Sequence, residues 1–437
     1  MGLVDEAAAE LASLQAANVS FLARYPGEPR GRQPVHTFYL GAQRFEADSV
    51  QRIGETALRT MDRFARDPGE LTRAVGLPAD LAPAIHARVR AKLQREPVED
   101  IRIDFEDGFG LRPDDEEDAA AVSAARALGR AIAESIAPPF MGIRIKSLGE
   151  TARRAARTLE LFVGTLIEAN NSALPEGFVV TLPKVNLPEQ PRTLARWLER
   201  LESRHGLAPR SLRFEIMVET PQAFIGADGR FPLPGFLDAC GGRCTGVHLG
   251  VYDFTASCGI AAAYQSAAHP MCELARGMMK LACAGRGVWL SDGSTNILPV
   301  GPHAGEELTN AQWEENREAV HRGWHLSHAH IRRSLETGFS QGWDLHPAQL
   351  PARYAACFGF YREGLMSAAA RLRRYAGQGA GASAIADEPA TVAALTNYLE
   401  RARSCGALDA EDLEAAGLPR DFGRRADQAT LRVSETA

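Results

Sequence analysis

Eight short apolar runs, separated by stretches with helical periodicity, constrain the fold of this chain more than any other feature. They are "VHTFYL" (35–40), "DIRIDFED" (100–107), "MGIRIKS" (141–147), "GFVVTLPKV" (177–185), "LRFEIMVET" (212–220), "GVHLGVYDF" (246–254), "GVWLSDG" (287–293) and "GWDLHP" (342–347). Helical patterns lie between them, among them 115–136, 150–170 and 314–338. This alternation argues for parallel strands joined by crossover helices, and eight strands are what a (β/α)8 TIM barrel closes with. An open doubly wound sheet is the alternative, disfavoured because no glycine-rich phosphate fingerprint follows an early strand. The expected architecture is an α/β TIM-barrel domain over 1–376, with an N-terminal helical extension over 1–34. A hinge and a small C-terminal helical lid follow over 377–437. The run "RRYAGQGAGASA" marks the joint,. The tail is too small to fold strongly alone and should dock on the barrel or a neighbouring subunit.

With 437 residues and a net charge of −6, the chain has no electrostatic footprint for nucleic acid or an anionic membrane,. Its basic runs "RRAAR" (153–157) and "RLRRY" (371–375) read as solvated helix faces. The first residues are acidic and amphipathic rather than signal-like, and no apolar stretch is long enough to span a bilayer,. Seven cysteines, at 240, 244, 258, 272, 283, 357 and 405, are odd in number and irregularly placed, which predicts free thiols and a cytoplasmic location,. Cys240, Cys244 and His248, with His269 and Cys272 downstream, raise a zinc site. The segment reads instead as a loop feeding a strand.

Strand parity separates Ile101, Ile103 and Phe105 from Arg102, Asp104 and Glu106, and Ile143 and Ile145 from Arg144 and Lys146,. Apolar side chains of a barrel strand face its helices, so the charged set points inward, where it needs partners or an ion. An internal salt-bridge layer explains any one of these residues as well as catalysis does. Glu219 and Asp253 add isolated acids at two further strand ends. Carboxylates from neighbouring strands suit Mg²⁺. Arg144 could then grip a substrate carboxylate through two parallel hydrogen bonds. A bound cation acts as a Lewis acid on the enolate formed when a carbon–carbon bond next to a carbonyl breaks. Lys184 raises a Schiff-base aldolase as a lesser alternative.

In order, "DFED", "IRI", "LPKV", "MVETP", "LGVYDF" and "LETGFSQGWDLHPAQL" resemble the HpcH/HpaI aldolase and citrate lyase β-subunit superfamily, including its malyl-CoA lyase-like branch. The resemblance covers roughly residues 98 to 400, and its closing phrase is the most specific part. It implies a (β/α)8 barrel that binds Mg²⁺ or Mn²⁺ and makes or breaks carbon–carbon bonds, often on acyl-CoA or 2-oxo acid substrates. It implies Glu219 and Asp253 as metal ligands and Arg144 as the catalytic arginine on the substrate. Asp104, Glu106 and Asp107 become the acidic strand end supporting that arginine and the ion's waters. Asp387, in "SAIADEP", takes the position of an aspartate that the C-terminal segment lends to a neighbouring subunit's site, and a trimer or hexamer is implied.

Some features depart from the pattern. About thirty residues precede "RQPVHTFYL", the loop after Glu219 is enlarged by "GADGRFPLPGF", and "SDGSTNILPVGPH" (291–303) extends the seventh strand end. Arg144 lies in "RIK" rather than the usual Arg-x-Asn. Loops of this kind select substrates, so coenzyme A as part of the substrate stays open. Lys184 and His346 are candidate substrate-binding residues, and His36 and His303 secondary candidates for a base. The expected function is a Mg²⁺-dependent carbon–carbon lyase or aldolase on a small 2-oxo or hydroxy acid or its CoA thioester. A malate synthase-like condensation, an acyl-CoA thioesterase, and a catalytically silent barrel subunit are the alternatives.

Overall fold

Each of the eight apolar runs forms a strand: β1 His36–Gly41, β2 Asp100–Asp104, β3 Phe140–Arg144, β4 Phe178–Leu182, β5 Arg213–Val218, β6 Cys244–Leu249, β7 Trp289–Ser291 and β8 Gly342–Asp344. These come from a computed structural model that describes residues 3–29, 31–305, 307–377 and 389–422. The strands join one sheet in the order β7-β6-β5-β4-β3-β2-β1-β8, with parallel register at β1·β8, β4·β5, β5·β6 and β6·β7. Helices separate consecutive strands, so the chain is a (β/α)8 TIM barrel,.

All but β1 are shorter than their apolar runs, and at β2 and β6 the reason is local chemistry. β2 stops at Asp104 because its carboxylate accepts the backbone N–H groups of Glu106 (2.9 Å) and Gly108 (2.7 Å), which folds the chain back. A Cβ at Gly108 would lie 2.5 Å from the same carboxylate, so only glycine fits the turn,. β6 ends at Leu249, and Gly250 hands the chain to the short helix Val251–Ser257. Asp253 therefore sits in the first turn of a helix rather than at a strand end, which corrects the sequence expectation.

Contact density divides the chain into two units. The first comprises Met1–Gly31, Asp104–Ala125 and Gly142–Gly293. Its core includes Phe105, Phe162 and Phe178, with Phe162 edge-on to Phe105 and stacked on Phe178. Each such ring stabilises the fold by about 2 to 3 kcal/mol on burial. The N-terminal helix Ala8–Arg24 has no buried residue. It is held at its C-terminal end, where Arg24 pairs with Asp238, Gly27 N donates to Gly285 O (2.9 Å) and Gly287 N to Gly27 O (3.0 Å).

The second unit comprises Arg32–Ile103, Arg126–Met141 and Ser294–Ala437. The long helices Asn310–Glu336 and Leu350–Gly377 bury Trp324, Tyr354, Phe358 and Tyr361 there. The C-terminal helices Pro389–Ser404 and Ala410–Ala415 pack onto this unit. Tyr398 donates to the carbonyl of Phe360 (2.6 Å), and Asp412 pairs with Arg88 (2.6 Å) and Arg362 (3.0 Å).

Candidate functional site

Asp104, Glu106, Asp107, Arg144, Lys184, Glu219 and Asp253 all belong to the first unit, and their side chains form one network. Its rigid centre is the pair at the ends of β2 and β3. Arg144 Nε and Nη2 donate to the two oxygens of Asp104 at 2.7 and 2.5 Å, and both residues are buried. A two-point fork fixes the guanidinium plane as a single contact cannot. The remaining Nη1 lies 3.1 Å from Glu106 Oε2 and 3.5 Å from Asp107 Oδ2.

Lys184 follows β4 with a φ of 52°, a left-handed backbone unusual for a side chain of this size,. That geometry aims its backbone N–H at Glu219 Oε2 (3.0 Å). Its ammonium meanwhile pairs with Glu106 and reaches Asp107 (3.3 Å) and Asp253 (3.4 Å). Burial alone would lower the Lys184 pKa, but Glu219, Glu106 and Asp107 outweigh it and hold it above the ordinary lysine value. The side chain is kept as an ammonium, which argues against the Schiff-base alternative.

Glu219 lies one residue past β5 and is 1% exposed. Burial pushes its carboxyl up to about 8, against the pull of Lys184 and Arg144 and with a further push from Asp253 and Glu106. Space for it is made by Gly250, where any Cβ would overlap the Glu219 side chain. Burial also raises Glu106, and Asp107 adds to that shift. For Asp107, burial is outweighed by Arg144 and by the hydrogen bond with Glu106, so it titrates low.

Four carboxylates, Asp104, Glu106, Asp107 and Asp253, and the buried carboxyl of Glu219 thus surround two cations, Arg144 and Lys184. This negative excess, with a buried carboxyl pushed up to about 8, suits a divalent cation,. Among the described residues no three His, Cys, Asp or Glu side chains converge as a metal site, so Glu219 and Asp253 would act as a pair. Two carboxylates suffice for Mg²⁺, which keeps most of its positions for water and substrate oxygens.

Other candidates fall elsewhere. Lys146 lies two residues past β3, and instead of joining an inward charged set with Arg144 it holds the loop after β2, donating to Phe105 O (2.6 Å) and Gly110 O (3.0 Å) and pairing with Glu117 (2.8 Å) of the helix Asp114–Ala133. Sequence reading missed this tie and the Gly250 cradle, although the run "FEDGFG" hinted at a loop needing anchorage. His36 is buried, with Nδ1 2.8 Å from Asp344 and Nε2 accepting the backbone N–H of Glu99 (3.0 Å), so both nitrogens are committed to structure. His303 pairs with Glu315 in its own segment. His346 caps the turn Pro347–Gln349 through the backbone N–H of Ala348 (3.2 Å). Its pKa is lowered by burial and Arg44. Asp387 lies outside the described residues. Cys240, Cys244 and His248 do not converge as a metal site: the thiols donate to the carbonyls of Phe236 (3.2 Å) and Gly246 (3.4 Å), and His248 Nε2 sits 2.8 Å from Glu215. No helix among the described residues is long and apolar enough to cross a membrane.

Fold and site define a (β/α)8 barrel whose strand ends carry a clamped arginine and an excess of carboxylates. Over residues 14–427 the sequence matches the family described as a domain of unknown function (DUF6986), and the chain belongs to that family. No curated protein matches the sequence. Among solved structures, a citrate lyase from Burkholderia xenovorans LB400 is similar at a TM-score of 0.56 and 18% identity, over 89% of this chain and 97% of that one. It shares the barrel fold implied by the sequence resemblance. A Haloferax volcanii malate synthase, solved as a magnesium/glyoxylate complex, gives 0.47 and 14% over 82% of this chain and 80% of that one. CitE from Mycobacterium tuberculosis, in complex with magnesium, acetoacetate and coenzyme A, gives 0.45 and 18% over 86% and 98%.

Proposed function

We propose that this protein is a Mg²⁺-dependent carbon–carbon lyase or aldolase acting on a small 2-oxo or hydroxy acid, free or as its CoA thioester. The observation that carries the reading is the clamped Arg144 beside Glu219 and Asp253, with more carboxylates than cations around it. Glu219 and Asp253 would hold the cation. When bound, it supplies Lewis-acid stabilisation to negative charge developing on the substrate.

The chain's own residues do the rest. Asp104 holds the guanidinium plane through Nε and Nη2, so that the Nη1 edge, paired with Glu106, would exchange that partner for a substrate carboxylate or carbonyl oxygen,. The Lys184 ammonium balances the neighbouring carboxylates and screens them from an incoming anionic substrate,. The preferred assembly is a homo-oligomer, which light scattering on the purified protein tests.

The functional test is a panel of 2-oxo acids, hydroxy acids and acyl-CoA esters with Mg²⁺, following release of pyruvate, glyoxylate or acetyl-CoA. Turnover of at least one member is expected, and Arg144→Ala should lower kcat by about 10² to 10³-fold while leaving Mg²⁺ affinity largely intact. A wild-type protein that neither binds Mg²⁺ nor cleaves any member would end this reading.

A further inference from the structure

A cavity of about 450 Å³ opens in the second unit between the helices Pro68–Val75 and Asn310–Glu336. Its lining is mostly basic: Arg73 from the first helix, and Arg317, His321, Arg322 and His325 from the second, with Glu318 as the one carboxylate. None of these residues belongs to the carboxylate network described above.

Ordinary helix chemistry accounts for only part of this. Arg73 lies in the last turn of its helix, where the macrodipole favours a cation,. Arg317 and Arg322 lie in the middle turns of a long helix, beyond the reach of either end,. Arg317, His321 and His325 repeat at helical spacing along one face, which brings a guanidinium and two imidazoles to the same wall of the cavity,. Their partners are weak: Arg317 pairs with Glu314 at the surface, and Arg322 Nη1 lies 3.6 Å from Glu318 Oε2 with both side chains exposed,. His321 donates from Nε2 to the carbonyl of Phe64 (2.7 Å), which fixes the ring and leaves Nδ1 for another partner. The volume falls within the usual range for small-molecule sites, about 300 to 1,000 Å³.

We propose that this cavity binds a phosphoanhydride, the di- or triphosphate group of a small metabolite. Three guanidiniums on two helices match an anion with several oxygens spread over more than one centre, whereas a lone carboxylate engages one fork. Glu314, Glu315 and Glu318 on the same helix oppose an extended polyanion such as RNA or an anionic bilayer, so the occupant is compact,.

The test is calorimetry on the whole protein at low salt with EDTA, using pyrophosphate, ATP and inorganic phosphate in turn. Pyrophosphate and ATP should each saturate one site with similar affinity, and inorganic phosphate should bind about tenfold more weakly. Arg322→Glu and Arg317→Glu, at exposed positions, should each weaken pyrophosphate binding about tenfold or more, with circular dichroism unchanged. Arg144→Ala should leave it unaltered. The proposal is overturned if neither probe saturates, if ATP binds and pyrophosphate does not, if single-stranded RNA binds more tightly than pyrophosphate, or if Arg144→Ala rather than the reversals abolishes binding.

Discussion

At the scale of single residues, the cluster around Lys184 holds two opposing demands. Its backbone N–H positions Glu219, while its ammonium neutralises the carboxylates that a divalent cation would otherwise find. The two roles separate by mutation, since a side-chain change leaves the N–H in place. Lys184→Met should therefore tighten Mg²⁺ binding about tenfold by removing a competing positive charge a few ångströms away. Calorimetry reads this directly, and weaker binding would show that the ammonium supports the metal instead. Gly250 gives a complementary probe. Gly250→Ala forces Glu219 out of its cradle, which should weaken Mg²⁺ about tenfold and destabilise the fold by about 1 to 3 kcal/mol through overpacking,. If alanine changes neither affinity nor Tm, Glu219 has another way to be placed. Parity along "IRIDFED" and "MGIRIKS" made Asp104 and Arg144 visible in the sequence because alternation needs only neighbours,. The Gly250 cradle was hidden because it joins two strands far apart in the chain, which no local pattern encodes.

At the scale of elements, charges buried between strands and helices carry part of the stability. Asp344 at the end of β8 accepts Arg353 Nε (2.9 Å) and lies 2.8 Å from His36 Nδ1 on β1. Burial alone would raise its carboxyl, but Arg353 and His36 hold it down to about 2. The folded carboxyl thus titrates below the unfolded one, so its contribution is present above the ordinary carboxylate range and is lost as pH falls through about 2. Asp344→Asn should destabilise the protein by about 3 kcal/mol at pH 7, since it leaves Arg353 buried beside a neutral partner. The gap from wild type should narrow by about 2 kcal/mol between about pH 4 and pH 2. Urea unfolding across that range measures it, and a gap independent of pH would mean the carboxylate charge is not what stabilises this end of β1 and β8. The existence of all eight strands was legible because apolar runs between helical stretches have few other uses. Their ends were not. β2 stops early because Asp104 and Lys146 capture the backbone of the loop that follows it, and the Lys146 capture depends on a partner from another segment.

At the scale of the whole molecule, a cation that binds only the folded chain must shift the unfolding equilibrium, whatever the reaction turns out to be. Free Mg²⁺ at one hundred times its Kd adds about 2.7 kcal/mol to the folded state. For a chain of this length that raises Tm by a few degrees, about 2 to 4 °C or somewhat less. Glu219→Gln and Asp253→Asn should each abolish most of the rise. They should also differ in the absence of metal. Glu219 is fully buried and pushed up to about 8, so the neutral amide resembles its protonated form and Glu219→Gln should hold or raise the metal-free Tm at neutral pH,. Asp253 is about half-exposed beside Lys184, so its amide should change the metal-free Tm little,. A Mg²⁺-dependent rise that survives both substitutions would place the cation elsewhere in the chain. A rise lost in one variant and kept in the other would leave a single carboxylate as the direct ligand.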